Sequence, residues 1–153
     1  MNHKSKKNRY ERIIRQLEGI IGKTEDRISR MATIASVLYH KMNTYYWVGF
    51  YRLIRGQLII GPYQGTLACQ VLPKDTGVCW ASVNRKETII VGDVHQFAGH
   101  IACDPRSRSE IVVPCKDKRG KIFAVLDIDS DRLNAFDEAD AACLEKIVKL
   151  LNV

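Results

Sequence analysis

The sequence contains no apolar run near the roughly 18 residues that a bilayer span requires; its longest candidates, such as Ile122 to Leu126, are strand-sized. No membrane partner is therefore expected. Cysteine is also scarce: five in 153 residues, an odd number, falls well short of the roughly 8–10% of a disulfide-stapled secreted scaffold. The first residues, Met1 to Arg12, are basic and polar with no apolar h-region behind them, so no secretory signal is read and the cytoplasm is the expected compartment. In a reducing cytosol the cysteines are thiols until something oxidises them, which turns their placement into a question about reactivity.

Nucleic-acid motifs are missing as well. Of the net charge of +7, a surplus of five lies between Met1 and Arg30, where nine basic residues face four acidic ones. Tyr10 is the one aromatic residue in that stretch, and no helix-turn-helix, RRM or zinc-finger spacing follows. The charge reads as a solvated helix face, with no nucleic-acid partner. What is present, 46% apolar and 27% charged residues, is ordinary for one globular domain with a real core.

The periodicity predicts a flexible basic arm over 1–9 and N-terminal helices over 10–42, with the sheet, a long loop and a C-terminal helix filling 45–153 of a single domain over 1–153. Tyr10, Ile13, Ile14, Leu17, Ile20 and Ile21 follow helical spacing up to Gly22, and Ile28, Met31, Ala35, Leu38 and Met42 mark a second stripe. From Tyr45 to Ile54 the texture turns aromatic and β-branched, Arg55-Gly56 reads as a turn, and Leu58 to Ile60 completes a hairpin. Gly61-Pro62 breaks the chain before another expected strand, Tyr63 to Val71, then a short helix over Val78 to Asn84 and a strand over Thr88 to Val91. Gly92 to Ser109 is a loop of about 18 residues, a length usually tied to function or disorder. Strands Glu110 to Lys116 and Lys121 to Ser130 precede a last helix near Asp137, whose Asp-Glu-Ala-Asp letters are a helix start without a phosphate-binding loop to make them anything else. The order fits an α+β fold, with an antiparallel sheet that carries helices on one face and leaves the other for a ligand.

Cys115 on a strand and Cys143 in the last helix read as packing residues. Cys69, Cys79 and Cys103 lie in turn-rich surroundings, and Cys103 has His100, Arg106 and Arg108 nearby, which favour a thiolate, against the adjacent Asp104. Asp93, His95, His100 and Cys103 offer metal ligands but match no common zinc spacing, and a Cys103/His100 hydrolase would leave Cys69 and Cys79 without a role. On the strand Val125 to Asp129, alternation places Asp127 and Asp129 on one face beside Phe123 and Val125; such a pair binds a cation or shares a proton. Trp47, Gly49 and Tyr51 likewise share a face, and an aromatic wall with carboxylates suits a small ligand bearing an ammonium group.

The blocks Gly61-Pro62-Tyr63-Gln64-Gly65, Leu67-Ala68-Cys69, Gly77-Val78-Cys79, Asp93 to Asp104, Ser107 to Pro114 and Leu126 to Ser130 resemble the free methionine-(R)-sulfoxide reductases, small enzymes made of one GAF domain. The resemblance implies a GAF-like fold and reduction of the free amino acid methionine-(R)-sulfoxide. It implies Cys103 as the attacking cysteine, Cys69 as the resolving one and Cys79 as the third, with thioredoxin as reductant and neither organic cofactor nor metal. Trp47, Tyr51, Glu110, Asp127 and Asp129 match its pocket positions, and the proton donor is Glu110 or one of the two aspartates. Trp80 and Ala98 depart from the common pattern, where glycine and proline are usual. The alternative from another class is a GAF module that senses a small ligand without catalysis, and a homodimer stays open.

Overall fold

The computed structural model describes residues 1–100 and 103–152; Ile101 and Ala102 of the long loop, and Val153, lie outside the described residues. Helix α1 (His3–Ile21) buries Tyr10, Ile13, Leu17 and Ile21 and ends at Gly22. It starts well before Tyr10, so residues 3–9 are helix rather than a flexible arm. Two contacts account for this: the Asn2 side chain accepts a hydrogen bond from the Ser5 N–H at 2.8 Å, and Lys6 Nζ reaches Asp137 at 3.0 Å and Asp140 at 2.7 Å. Helix α2 (Arg27–Lys41) begins on Asp26, whose carboxylate accepts from Ser29 N–H at 2.6 Å. Its buried stripe is Met31, Ile34, Ala35 and Leu38; Ile28, in the first turn, is 42% exposed and lies off that stripe.

Six antiparallel strands follow in the spatial order β3-β2-β1-β6-β5-β4: β1 (Trp47–Ile54), β2 (Gln57–Gln64), β3 (Val71–Leu72), β4 (Ile89–Val91), β5 (Ser109–Lys116) and β6 (Ile122–Ser130). The Gly61-Pro62 pair does not end a strand. Between the pairs Gly49↔Tyr63 and Tyr51↔Ile60 the register slips by one residue, so Pro62, which has no N–H to donate, sits in a bulge and β2 continues to Gln64. The strand expected over Tyr63 to Val71 reduces to Val71–Leu72. A second slip, between Cys115 and Lys116 opposite Ala124 and Ile122, breaks the alternation at Phe123, which lies under the guanidinium of Arg27 on the helical side and not beside Val125.

The sheet divides two cores. On one face α1, α2 and α4 (Glu138–Val148) cover Val48, Phe50, Val113, Leu126 and Ile128. On the other, α3 (Gly77–Arg85) packs Val78, Cys79 and Trp80 against Trp47, Tyr51, Val112 and Val125. Asp137 caps α4 in a reciprocal capping box with Asp140. Asp140 is 1% exposed, and an unpaired carboxylate there would cost several kcal/mol. It is paired by Lys6, by the Tyr10 hydroxyl at 2.7 Å and by the Asp137 N–H at 2.8 Å, while Tyr45 shares a hydrogen bond with Tyr10.

Candidate active site

Antiparallel register assembles the site. β1 pairs with β6 so that Trp47 lies opposite Asp129 and Gly49 opposite Asp127; β5 then sets Glu110 opposite Asp129 from the other side. The two aspartates therefore sit in the interior of the sheet rather than on a solvated edge, with Glu110 6% and Asp127 7% exposed. Trp47 stacks between Tyr51 and Tyr63, at ring-centroid distances of 6.1 Å and 5.5 Å, and its indole N–H donates to the Thr66 carbonyl at 3.0 Å. Tyr51 donates its hydroxyl proton to the Cys69 carbonyl at 3.3 Å. Gly49 is required by this wall, since a Cβ there would lie 2.8 Å from Trp47 Cζ3. Gly49→Ala is expected to displace the indole and cost about 1–3 kcal/mol of stability, to be read from denaturant unfolding alongside a raised substrate KM.

The carboxylates are not three free anions. Burial, reinforced by the charges of Asp127 and Asp129, raises the Glu110 carboxyl well above the usual carboxylate range, which favours its protonated form. Burial also lifts Asp127, to about 6, while hydrogen bonds from Glu110 and the Cys79 thiol pull it back; Asp127 thus carries negative charge at neutrality. Asp129, like Glu110, is raised well above its usual range by burial and by Asp127, against the hydrogen bond it accepts from the Ser107 hydroxyl at 2.7 Å. Ligand atoms of Cys79, Glu110 and Asp127 lie within 4.8 Å of one another, the one arrangement among the described residues that could hold a metal ion. Of the five buried side-chain N and O atoms without a partner among the described residues, Asp127 Oδ1 and the Tyr46 hydroxyl belong to residues that line this pocket. An acid raised toward its protonated form, an ionised acid and orphaned oxygens in one pocket fit a ligand that brings both a cationic donor and a proton-accepting oxygen.

The thiols divide as their surroundings dictate. Cys69 and Cys103 form a disulfide, with Cα atoms 6.0 Å apart. Cys103 is exposed, Cys69 half-buried, and Cys103 and Cys79 border the pocket that contains Trp47, Tyr51, Glu110 and Asp127. Cys79 is buried, and burial together with the charge of Asp127 pushes its thiol well above the ordinary range, so it stays protonated. Cys115 is buried on the helical face, and Cys143 is half-buried in α4.

Several supporting groups carry no sequence signal of their own. Ser107 and Thr66 are found only by the fold: Thr66 donates to Asp104 at 2.7 Å, and Arg106 grips the same carboxylate, which ties the segment after Cys103 to the segment before Cys69. Arg106 and Thr66 hold the Asp104 carboxyl well below its usual range. Tyr63 was hidden by the Pro62 bulge, which reset the face it points to. The metal-ligand set read from spacing does not assemble: His95 is exposed beside Asp93, His100 Nδ1 lies 3.9 Å from Glu110 Oε2, and Cys103 is in the disulfide.

A six-stranded antiparallel sheet with helices on one face, a pocket on the other and a cysteine couple at that pocket defines a GAF domain equipped for thiol redox chemistry. The GAF domain family model matches residues 28–152. GAF domain-containing protein A of Dictyostelium discoideum is 42% identical over 97% of this chain and 93% of its own length. The free methionine-R-sulfoxide reductase of Saccharomyces cerevisiae is 37% identical over 99% of this chain and 90% of its own. Among solved structures, free methionine-R-sulfoxide reductase from Neisseria meningitidis in complex with its substrate superposes with a TM-score of 0.88 at 39% identity, covering 93% of this chain and 85% of that one. The chain belongs to the free methionine-R-sulfoxide reductases within the GAF-domain family, and it is an oxidoreductase. No helix among the described residues is long and apolar enough to cross a membrane.

Proposed function

We propose that the protein reduces free L-methionine-(R)-sulfoxide to L-methionine, with Cys103 as nucleophile, Cys69 as resolving thiol and Glu110 as proton donor. The observation that carries this reading is the Cys69–Cys103 disulfide at a pocket that also contains Glu110, whose carboxyl burial raises well above its usual range, and Asp127. In the reduced enzyme the Cys103 thiolate attacks the sulfoxide sulfur while Glu110 protonates the oxygen. The oxygen passes to Cys103, which becomes a sulfenic acid, and methionine leaves with its sulfur reduced by two electrons. Cys69 condenses with the sulfenic acid, water departs, and the disulfide forms. A dithiol protein, thioredoxin, restores both thiols by exchange.

Asp127 supplies the charge that holds the substrate ammonium, Asp129 offers it a further carboxyl oxygen, and Trp47 with Tyr51 packs the methyl-bearing end. Cys79, held as a thiol with its sulfur within 4.8 Å of an Asp127 carboxylate oxygen, does not need to react. A GAF module that only sensed a ligand would have no use for the Cys69–Cys103 couple. The two readings separate in one experiment: adding one equivalent of free methionine-(R)-sulfoxide to the reduced chain removes two titratable thiols if it is a reductase and none if it is a sensor.

Removing Cys69 isolates the first half-reaction. Cys69→Ser is expected to release one equivalent of methionine per chain and then stop when thioredoxin is the reductant, as measured by quenched-flow product counting. Full thioredoxin-supported turnover would assign resolution to another cysteine.

A further inference from the structure

The two cysteines of the disulfide stand on segments that are anchored in different places. The Cys69 segment is fastened to the aromatic wall: the Trp47 indole donates to the Thr66 carbonyl at 3.0 Å and the Tyr51 hydroxyl to the Cys69 carbonyl at 3.3 Å. The Cys103 segment reaches β6 further along, where the Ser107 hydroxyl donates to Asp129 at 2.7 Å and the Arg108 N–H to the Ser130 carbonyl at 2.8 Å. Apart from the disulfide, one hydrogen bond joins the two segments among the described residues: Thr66 Oγ1 donates to Asp104 Oδ2 at 2.7 Å. Asp104 follows Cys103 directly and Thr66 stands just before Cys69, so the hydrogen bond and the S–S bond are parallel cross-links. Arg106 fixes the acceptor. Its backbone N–H and Nε donate to Asp104 Oδ1 at 2.9 Å and 3.2 Å, a terminal guanidinium nitrogen donates to Oδ2 at 3.0 Å, and the guanidinium lies over the Tyr46 ring. The Asp104 side chain is 15% exposed, and a hydroxyl bonded to a carboxylate is held more firmly than one bonded to a neutral acceptor.

Two cross-links between the same segments reinforce each other, because each raises the effective concentration at which the other closes. We propose that Thr66 is a positioning residue for disulfide formation: its hydroxyl, bound to Asp104, keeps the Cys103 segment against the Cys69 segment after the S–S bond has opened, and so sets the rate at which Cys69 closes on oxidised Cys103. This inference rests on the resolution step proposed above. In that step the Cys69 thiol gives up its proton, Cys69 Sγ bonds to Cys103 Sγ, and the S–O bond of the Cys103 sulfenic acid breaks. The oxygen leaves as water with its own hydrogen and that proton; the Cys69 sulfur is oxidised as the sulfenic sulfur is reduced, with no outside oxidant. Attack on the sulfoxide needs the Cys103 thiolate alone, whereas resolution needs two segments to meet. The Thr66–Asp104 bond therefore acts on the second step and not on the first.

Thr66→Val deletes the hydroxyl at nearly constant volume and keeps the backbone carbonyl to which Trp47 donates. With one equivalent of free methionine-(R)-sulfoxide added to the reduced chain, methionine release reports the first step and loss of the Cys69 thiol the second. The variant is expected to release methionine at the parent's rate, to lose the Cys69 thiol about tenfold more slowly, and to accumulate a sulfenic acid that dimedone traps. Thr66→Ser keeps the donor and should bring closure back to within about twofold of the parent. A second measurement uses no sulfoxide: in glutathione buffers the ratio of disulfide to dithiol should fall about tenfold in Thr66→Val. Unchanged closure with an unchanged glutathione ratio, equal slowing of methionine release and closure, or a Thr66→Ser chain as slow as Thr66→Val each overturn the positioning role. If the glutathione ratio shifts while the reduced parent leaves the sulfoxide unconsumed, the substrate assignment fails and the role of Thr66 in closing the disulfide stands.

Discussion

Cys103→Ser is expected to lower reduction of free methionine-(R)-sulfoxide by at least about 10³-fold, because the reaction has no other route for the oxygen. A serine hydroxyl stays protonated across the working pH range, and its oxygen cannot take the two-electron step that a sulfur makes on becoming a sulfenic acid. The comparison belongs in excess dithiothreitol, where parent and variant both lack the disulfide and any stability difference from the closed loop drops out. Methionine formation is the readout, with substrate binding by calorimetry as its control. Trp47, Tyr51 and Asp127 are untouched, so affinity should be kept while turnover is lost. Turnover within tenfold of the parent would remove Cys103 from the role of nucleophile.

Glu110→Gln carries the second large effect, a fall in kcat of about 10²–10³-fold, the usual worth of a positioned acid. Its pH dependence is the more discriminating measurement. Glu110 is raised by burial and by Asp127 and Asp129, so it donates below its own pKa, and kcat should fall as pH rises through that value. The glutamine variant has no such proton and should lose this alkaline limb. Asp127 acts on the other side: it titrates at about 6, so below that pH it loses the charge that holds an ammonium, and KM should rise as pH drops through 6. The two effects separate into kcat and KM. If Glu110→Gln retains the alkaline fall in kcat, another group is the donor, and Asp129, raised in the same direction, is the next to test.

The pocket was legible wherever a local rule governs it. Period two along β1 and β6 already put Trp47, Gly49 and Tyr51 on one face and Asp127 and Asp129 together, and the structure keeps both sets. The start of the last helix near Asp137 was legible in its letters, and the second helix in its apolar stripe. The losses came from distant partners. The stretch 3–9 looked like an arm because Lys6 meets Asp137 and Asp140 only after the whole chain has folded. Pro62 looked like a terminator because a bulge depends on the strand opposite, and Phe123 was placed on the wrong face for the same reason. The upward shift of the Glu110 carboxyl is a property of three strands side by side, which no single stretch of sequence contains.

The pairing of β1 with β6 has a consequence during synthesis. Trp47 and Asp129 meet across about eighty residues, and Tyr10 and Lys6 find Asp140 later still. At the usual 5–20 residues per second, the ribosome delivers Asp140 about 2–7 s after Cys103. For the first part of that interval, until Ser130 is made about 1–5 s after Cys103, β6 is not there to form the wall that keeps Cys79 buried and protonated, and Cys115 is added to Cys69, Cys79 and Cys103. The nascent chain therefore has four thiols, Cys69, Cys79, Cys103 and Cys115, and the finished one a single couple. An oxidant that reaches the chain in those seconds meets six possible pairings, before the register that brings Cys69 and Cys103 together exists.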